Sequence, residues 1–473
     1  MKKDRYAKRQ KTAMLKDKRL NTIRRIIFVL IPLSLLLCPA CHFKKDEIVD
    51  FTDLEAAKDL KFKVIGMHET DLSQGLPYDC YLPGGSRVSE FNDAMSETSS
   101  LNDENGEGPR KAPMTNSVTA TAIFQELLKH GHQDQVIEIV GTYPSIDSEG
   151  NEITLSGKVI LPKGQKPKRL ILVSHYTIGS NAEAPSNCFS LEGVLSTMGY
   201  GLIIPDYRGY GVTVHEFHPY LVMLETAFNV TDMYFAVKEW LNAVDLAPEH
   251  DDIYLMGYSQ GGATTMAVEY LIEKAYSEPS DSLYIPVHRV FAGGGPYDIK
   301  ATFERFITTD VASYPVAVPL VLQGMIQGNK LDIKIEDFMQ PWLCKHMDDW
   351  INCKRYTTGQ MNALIGTRVT HKLLTEEAMQ QTSEKVAELY KAMTENSLVS
   401  YNWIPQASVY IMHSMDDETV PYSNATSAKT KWQGANITYN FGHYGKHAMT
   451  CVRFIGSVQA LIEEEEKERG QYE

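Results

Sequence analysis

Ile253-Tyr254-Leu255-Met256-Gly257-Tyr258-Ser259-Gln260-Gly261-Gly262 is the stretch on which the reading of this chain turns. Its first four residues are apolar or aromatic and predict a buried strand, and Ala263 to Ala275 predicts a helix. Between them lies Gly-x-Ser-x-Gly. A strand, a tight glycine-flanked turn and a helix, in that order, are the context in which a serine becomes an exposed nucleophile. Side chains at Gly257 and Gly261 would collide with the neighbouring strand and helix, which explains the glycine spacing. The helix N-terminus would aim backbone N–H groups at the point where negative charge develops in acyl transfer.

Outward from this stretch the chain alternates strand and helix. Gln135–Tyr143 and Ile153–Leu161 read as a hairpin around the turn Asp147–Gly150. Arg169–Ser174 and Gly201–Pro205 are short continuous apolar runs, the pattern of strands buried on both faces of a parallel sheet. Phe228–Leu241 reads as a helix and Val287–Ala292 as a strand. Ser408–Met412 and Ile437–Phe441 are further strands, and Ala448–Lys467 is a last helix whose Glu463–Glu466 run is expected to face solvent. The predicted fold is therefore a doubly wound, mostly parallel α/β sheet.

From Pro296 to Trp403 the rhythm breaks into helical periods. Met379, Val386, Leu389, Tyr390 and Met393 form one stripe, expected to be core. Val311–Ile326 is too apolar for a surface helix and is interrupted by Pro315 and Pro319. It is expected either to join the core or to line a pocket.

A serine needs a base, and the base needs an orienting carboxylate. Strand Ser408–Met412 runs into a loop containing Asp417, the candidate acid, with Asp416 as the alternative. Strand Ile437–Phe441 runs into His443-Tyr444-Gly445-Lys446-His447. His447, at the start of the last helix, is the candidate base and His443 the alternative. One oxyanion N–H is expected from Gln260 and the other from Thr177 on the loop after Arg169–Ser174, with Tyr176 as the alternative. His175 reads as structural, and His215 and His218 as ordinary loop histidines.

In these features the chain resembles the α/β-hydrolase superfamily and, within it, the secretory lipase family. The resemblance rests on Ala184-Pro185-Ser186, Pro205-Asp206-Tyr207-Arg208-Gly209-Tyr210-Gly211, His218-Pro219-Tyr220-Leu221, the serine elbow and Asp417-x-x-Val420-Pro421, over roughly residues 135–470. It implies the α/β-hydrolase fold, with a helical cap inserted before the acid strand. It also implies a carboxylic-ester hydrolase, an esterase or lipase acting through an acyl-enzyme on a small ester or lipid, without metal or other cofactor. A serine peptidase of the prolyl type uses the same triad, and a non-catalytic binding protein can use the same fold. The segment between Cys41 and Gln135 is too short for the propeller such peptidases often carry. The acidic loop and the doubled histidine depart from the family pattern.

The chain begins with a basic run to Arg24-Arg25, an apolar run Ile26–Leu37, and Cys38-Pro39-Ala40-Cys41. That order resembles a bacterial lipoprotein signal, too short to span a bilayer comfortably, with Cys41 as the lipidated residue. A plain signal peptide, an uncleaved anchor and a start at Met14 are alternatives. The reading is an exported protein, periplasmic or held at the outer membrane by its lipid. Without residues 1–40 the chain has 35 Lys and Arg against 58 Asp and Glu. Such a surface repels nucleic acid, which is excluded as a partner. Five further cysteines have no metal-ligand spacing, and an oxidising compartment permits a Cys344–Cys353 bridge. The expected organisation is a leader at 1–40, then a tether and N-terminal flank at 41–134 with a mobile acidic loop from Glu90 to Asn116. The hydrolase core follows at 135–295, a helical cap or lid at 296–403, and the rest of the core at 404–473.

Overall fold

The computed structural model describes residues 60–88 and 127–470. The leader, Cys41, most of the tether, the acidic loop and the start of the expected helix Thr121–Lys129 lie outside the described residues.

Nine strands form one sheet in the order β1-β2-β3-β5-β4-β6-β7-β8-β9. They are β1 Lys63–Asp71, β2 Gln135–Ile146, β3 Glu152–Pro162, β4 Leu170–Ser174, β5 Gly201–Pro205, β6 Ile253–Tyr258, β7 Val287–Gly293, β8 Val409–Ser414 and β9 Ile437–Gly442. The first three and the β3–β5 pair run antiparallel, and every later pair is parallel. The β2–β3 hairpin turns on Asp147, whose carboxylate accepts the amides of Glu149 and Asn151 at 2.8 and 2.9 Å. Gly150 supplies the positive φ of 81° that the turn needs. Strands β4, β5, β6 and β8 are buried at every residue, the mark of a sheet covered on both faces.

The α-helices of eight or more residues are α1 Met223–Ala243, α2 Gln260–Ala275, α3 Ile299–Thr309, α4 Ala317–Gly328, α5 Thr358–Ile365, α6 Glu384–Asn396, α7 Ser423–Lys431 and α8 His447–Gly470. One face of the sheet carries α1, α2 and the crossover helices over Leu172, Ile203, Leu255 and Ile411. The other carries the helical turn Leu191–Met198 and α8, whose Val452, Phe454, Ile455, Val458 and Ile462 are buried there. Helices α3 to α6 all lie in the crossover from β7 to β8, which contains only isolated bridges among the described residues.

Four local expectations are revised. The flank contributes β1, an edge strand with Ile65 and Met67 exposed, although its sequence has no clean period. Pro319 does not break the apolar segment, because it falls in the first turn of α4, where its missing N–H has no helical acceptor to lose. The Glu463–Glu466 run is not simply solvated. Glu465 pairs with Arg289 at 2.6 Å, Glu466 with Lys168 at 3.0 Å and Glu463 with His130 at 2.7 Å, so α8 grips the N-terminal ends of the strands. Cys344 and Cys353 are both free thiols, each turned onto a carbonyl of its own turn.

Candidate active site

Strand order positions the site. The chain steps from β4 to β5 on one side and later to β6 on the other, so the loops after β4 and β6 leave adjacent strands in opposite directions. A crevice opens at such a reversal, at the carboxyl ends of the strands. Ser174 pairs with Gly257 there, bringing the loop of Thr177 beside Ser259.

Ser259 has φ 59° and ψ −125°, a conformation costly for any residue with a side chain, and its amide is tied to Gly293 O at 2.8 Å. The flanking glycines are obligatory. A Cβ on Gly257 would stand 2.3 Å from Gly261 O, and one on Gly261 would stand 1.9 Å from Ser174 O. The helix and strand therefore close on the turn to a distance only glycine permits.

Above Ser259 lies His447, the first residue of α8. Its Nε2 is 2.8 Å from Ser259 Oγ and its Nδ1 is 2.6 Å from Asp417 Oδ2. Asp417 Oδ1 accepts the amides of Thr419 and Val420, both at 2.9 Å. Burial alone would raise this carboxyl. The His447 ring, His413 and the Val420 amide outweigh it and hold Asp417 below the usual carboxylate range. The loop before His447 is pinned, because Ser414 and Thr450 hydroxyls both donate to Gly445 O and Tyr258 OH donates to His447 O.

The alternatives for the acid and the base fall elsewhere. Asp416 and His443 pair with each other at 2.8 Å on the surface, away from Ser259. Tyr176 turns its ring into the core and donates its hydroxyl to Tyr81 O. His175 is structural, with its ring nitrogens on Tyr176 O and Asp206 O. Thr177 lines the cavity beside Ser259, while Gln260 opens α2 and so has no preceding turn to accept its amide.

Three residues carry more than their sequence context suggested. His413 is wholly buried and 3.8 Å from Asp417. His218, read as a loop histidine, is buried and faces the Gln260 side chain at 2.9 Å, whereas His215 is exposed. Tyr220 OH meets Thr177 Oγ1 at 2.9 Å. No local signal marks these partners; only the shared motif His218-Pro219-Tyr220-Leu221 points to that segment.

A cavity of about 700 Å³ runs from Ser259 and His447 into the crossover helices. Its wall is mostly apolar, with Ile299, Phe303 and Phe306 from α3 and Ala317 and Val321 from α4. The segment Val311–Ile326 thus does both things expected of it. Val321 faces the cavity, while Leu320 and Leu322 pack in the core. Of the expected stripe, Val386, Leu389, Tyr390 and Met393 are core on α6, whereas Met379 lies on a separate short helix, Glu376–Gln380, and is half-buried against that core.

The secretory lipase family model matches residues 183–461. No curated protein matches the chain significantly. Among solved structures it is similar to the rice cell wall degrading esterase LipA from Xanthomonas oryzae, at 22% identity over 72% of this chain and 94% of that one, with a TM-score of 0.60. It is also similar to Candida antarctica lipase A in its closed state, at 17% identity over 66% and 73% of the two chains, with a TM-score of 0.51. At these identities the likeness is one of fold.

Proposed function

The chain belongs to the secretory lipase family and is a carboxylic-ester hydrolase; from that premise we propose that Ser259, His447 and Asp417 perform the hydrolysis as a catalytic triad. The observation that carries this reading is His447, bonded at 2.8 Å to Ser259 on one nitrogen and at 2.6 Å to Asp417 on the other. His447 Nε2 takes the proton as Ser259 Oγ attacks the ester carbonyl. Asp417 holds the ring in the tautomer that leaves Nε2 free to accept. The oxyanion is received by the amides of Gln260 and Thr177. His447 then protonates the departing alcohol, and a water activated by the same nitrogen releases the acid from Ser259.

The acyl chain occupies the apolar cavity, and residues 296–403 act as the cap over it. Its size and lining support a medium or long acyl chain over acetyl. Membership of a secretory family supports export, and the segment 1–41 supports a bacterial lipoprotein anchored through Cys41 in the periplasm or at the outer membrane.

The test is fluorophosphonate labelling of the wild type and Ser259→Ala, beside p-nitrophenyl esters from acetyl to octanoyl and an aminoacyl amide. Labelling that persists in Ser259→Ala rejects the nucleophile, and preference for the amide moves the reading to a peptidase. Intact mass of the mature protein tests the anchor, which an unmodified Cys41 would rule out.

A further inference from the structure

One segment touches both expected oxyanion donors, and neither contact belongs to the triad. His218 Nδ1 lies 2.8 Å from Arg208 O and its Nε2 lies 2.9 Å from Gln260 Nε2. A carbonyl oxygen can only accept, so Nδ1 carries the proton and Nε2 accepts from the Gln260 amide. The other end of that amide, Gln260 Oε1, is buried without a partner among the described residues. The Gln260 side chain is therefore oriented by His218. Two residues on, Tyr220 OH meets Thr177 Oγ1 at 2.9 Å.

The segment itself is held to one conformation. The His218 ring lies parallel to Tyr207, at an interplanar angle of 1°, and is met edge-on by Tyr210 and Tyr220 at 5.2 and 5.8 Å. Gly209, with φ 92°, lets the chain approach. A Cβ there would stand 2.8 Å from His218 N. Tyr220 N donates to His218 O at 2.7 Å, and Leu221 follows with a positive φ of 59°. From the crossover side, α4 presses its own backbone onto the segment, since a Cβ on Gly324 would stand 2.2 Å from Tyr220 O. Burial, and next the Lys354 ammonium, push His218 down to about 3, so the ring stays neutral and able to accept.

We propose that His218 and Tyr220 are positioning residues for the oxyanion hole, His218 fixing Gln260 and Tyr220 fixing Thr177. The inference rests on the reading of Ser259 as nucleophile and of those two amides as oxyanion donors. Two backbone N–H groups from separate segments must point at the position the carbonyl oxygen takes as its negative charge develops, and small errors in aim are expensive. A single rigid segment that braces both loops sets their relative position.

The experiment pairs substitutions that remove one bond from opposite ends. Tyr220→Phe and Thr177→Val remove the hydroxyl contact, and Gln260→Met and His218→Phe remove the other while leaving every backbone amide in place. Each single change is expected to lower kcat on p-nitrophenyl octanoate by about tenfold at unchanged KM. Each is expected to weaken a trifluoromethyl ketone, which forms a tetrahedral oxyanion on the serine, by a similar factor. Each double variant should be no worse than its singles, because the second change removes nothing more. Additive losses, a change confined to KM, or a lowered melting point with kcat intact would overturn the proposal. If His218→Phe does not fold, Gln260→Met still decides that arm. Fluorophosphonate labelling of Ser259→Ala separates the two failures. Persistent labelling removes the oxyanion reading itself, whereas lost labelling with additive cycles removes only the bracing.

Discussion

Replacing Asp417 by Asn tests the triad most directly, because the surroundings dictate which way the amide must turn. Asp417 Oδ1 accepts two backbone amides, from Thr419 and Val420, at 2.9 Å each. An NH2 group cannot accept, so the oxygen of Asn must stay at that position. Its NH2 then faces His447 Nδ1, now 2.6 Å from a carboxylate oxygen. A donor there obliges Nδ1 to be the acceptor and moves the ring proton to Nε2. That proton points at Ser259 Oγ, 2.8 Å away, and the ring can no longer take one from it. Geometry is preserved and chemistry is blocked, so kcat should fall by about 10⁴-fold with little change in melting temperature. That factor corresponds to about 5 kcal/mol of transition-state stabilisation. Steady-state hydrolysis of p-nitrophenyl octanoate, with circular dichroism to follow the fold, measures both. A loss below about tenfold, or an equal loss from Asp416→Asn on the exposed pair with His443, would refute the argument.

The remaining predictions separate packing from chemistry. Val321→Phe fills the cavity and should reduce octanoyl hydrolysis relative to acetyl by tenfold or so, whereas Leu320→Ala should leave that ratio unchanged and cost about 2–5 kcal/mol in denaturant unfolding. Gly261→Ala should abolish labelling by fluorophosphonate, since its Cβ would lie 1.9 Å from Ser174 O and the turn must open. Glu465 carries a pH signature. Burial would raise it, but hydrogen bonds from His288, Arg289 and Tyr254 outweigh this and lower its pKa from 4.5 to about 2. A depressed carboxyl stabilises the fold above its unfolded pKa and ceases to do so as pH falls through the folded one. The melting-point deficit of Glu465→Gln should therefore be full near pH 7 and shrink between about pH 4.5 and pH 2. A deficit independent of pH would show that the contact is not ionic.

Much of the sheet was legible because strands buried on both faces leave short apolar runs, and Gly201–Pro205 coincides with its expected bounds. The elbow was legible because steric exclusion writes glycine at fixed offsets from the serine. The start of the last helix favours His447 over His443, but both follow the same strand, and the burial that separates them comes from three-dimensional packing. Strand β1 escaped notice because it is an edge, where exposed Ile65 and Met67 spoil the alternation. The run Glu463–Glu466 misled for another reason. Its partners Lys168, Arg289 and His130 are far away in sequence, and a local pattern of like charges cannot show them. His218 was hidden in the same way, its significance lying in Gln260 on another loop.

The crossover from β7 to β8 has a thermodynamic consequence of its own. It leaves β7 after Gly293 and enters β8 at Val409, which pairs with Val290, so its two ends are anchored on neighbouring parallel strands. Any such pair requires a connection of a dozen residues or more. Closure entropy grows only with the logarithm of length, so stretching that connection from about ten residues to roughly a hundred costs the sheet on the order of 2 kcal/mol. The helices of the crossover repay this with their own buried contacts, as α6 does by accepting the first amide of α1 on Asn396 at 3.0 Å. The cavity wall built by the crossover is thus the part of the molecule whose length and contents are least dictated by the sheet. Exchanging it for a crossover of different shape would alter what fits beside Ser259 while leaving the strand register, and with it the geometry of Ser259, His447 and Asp417, where it is.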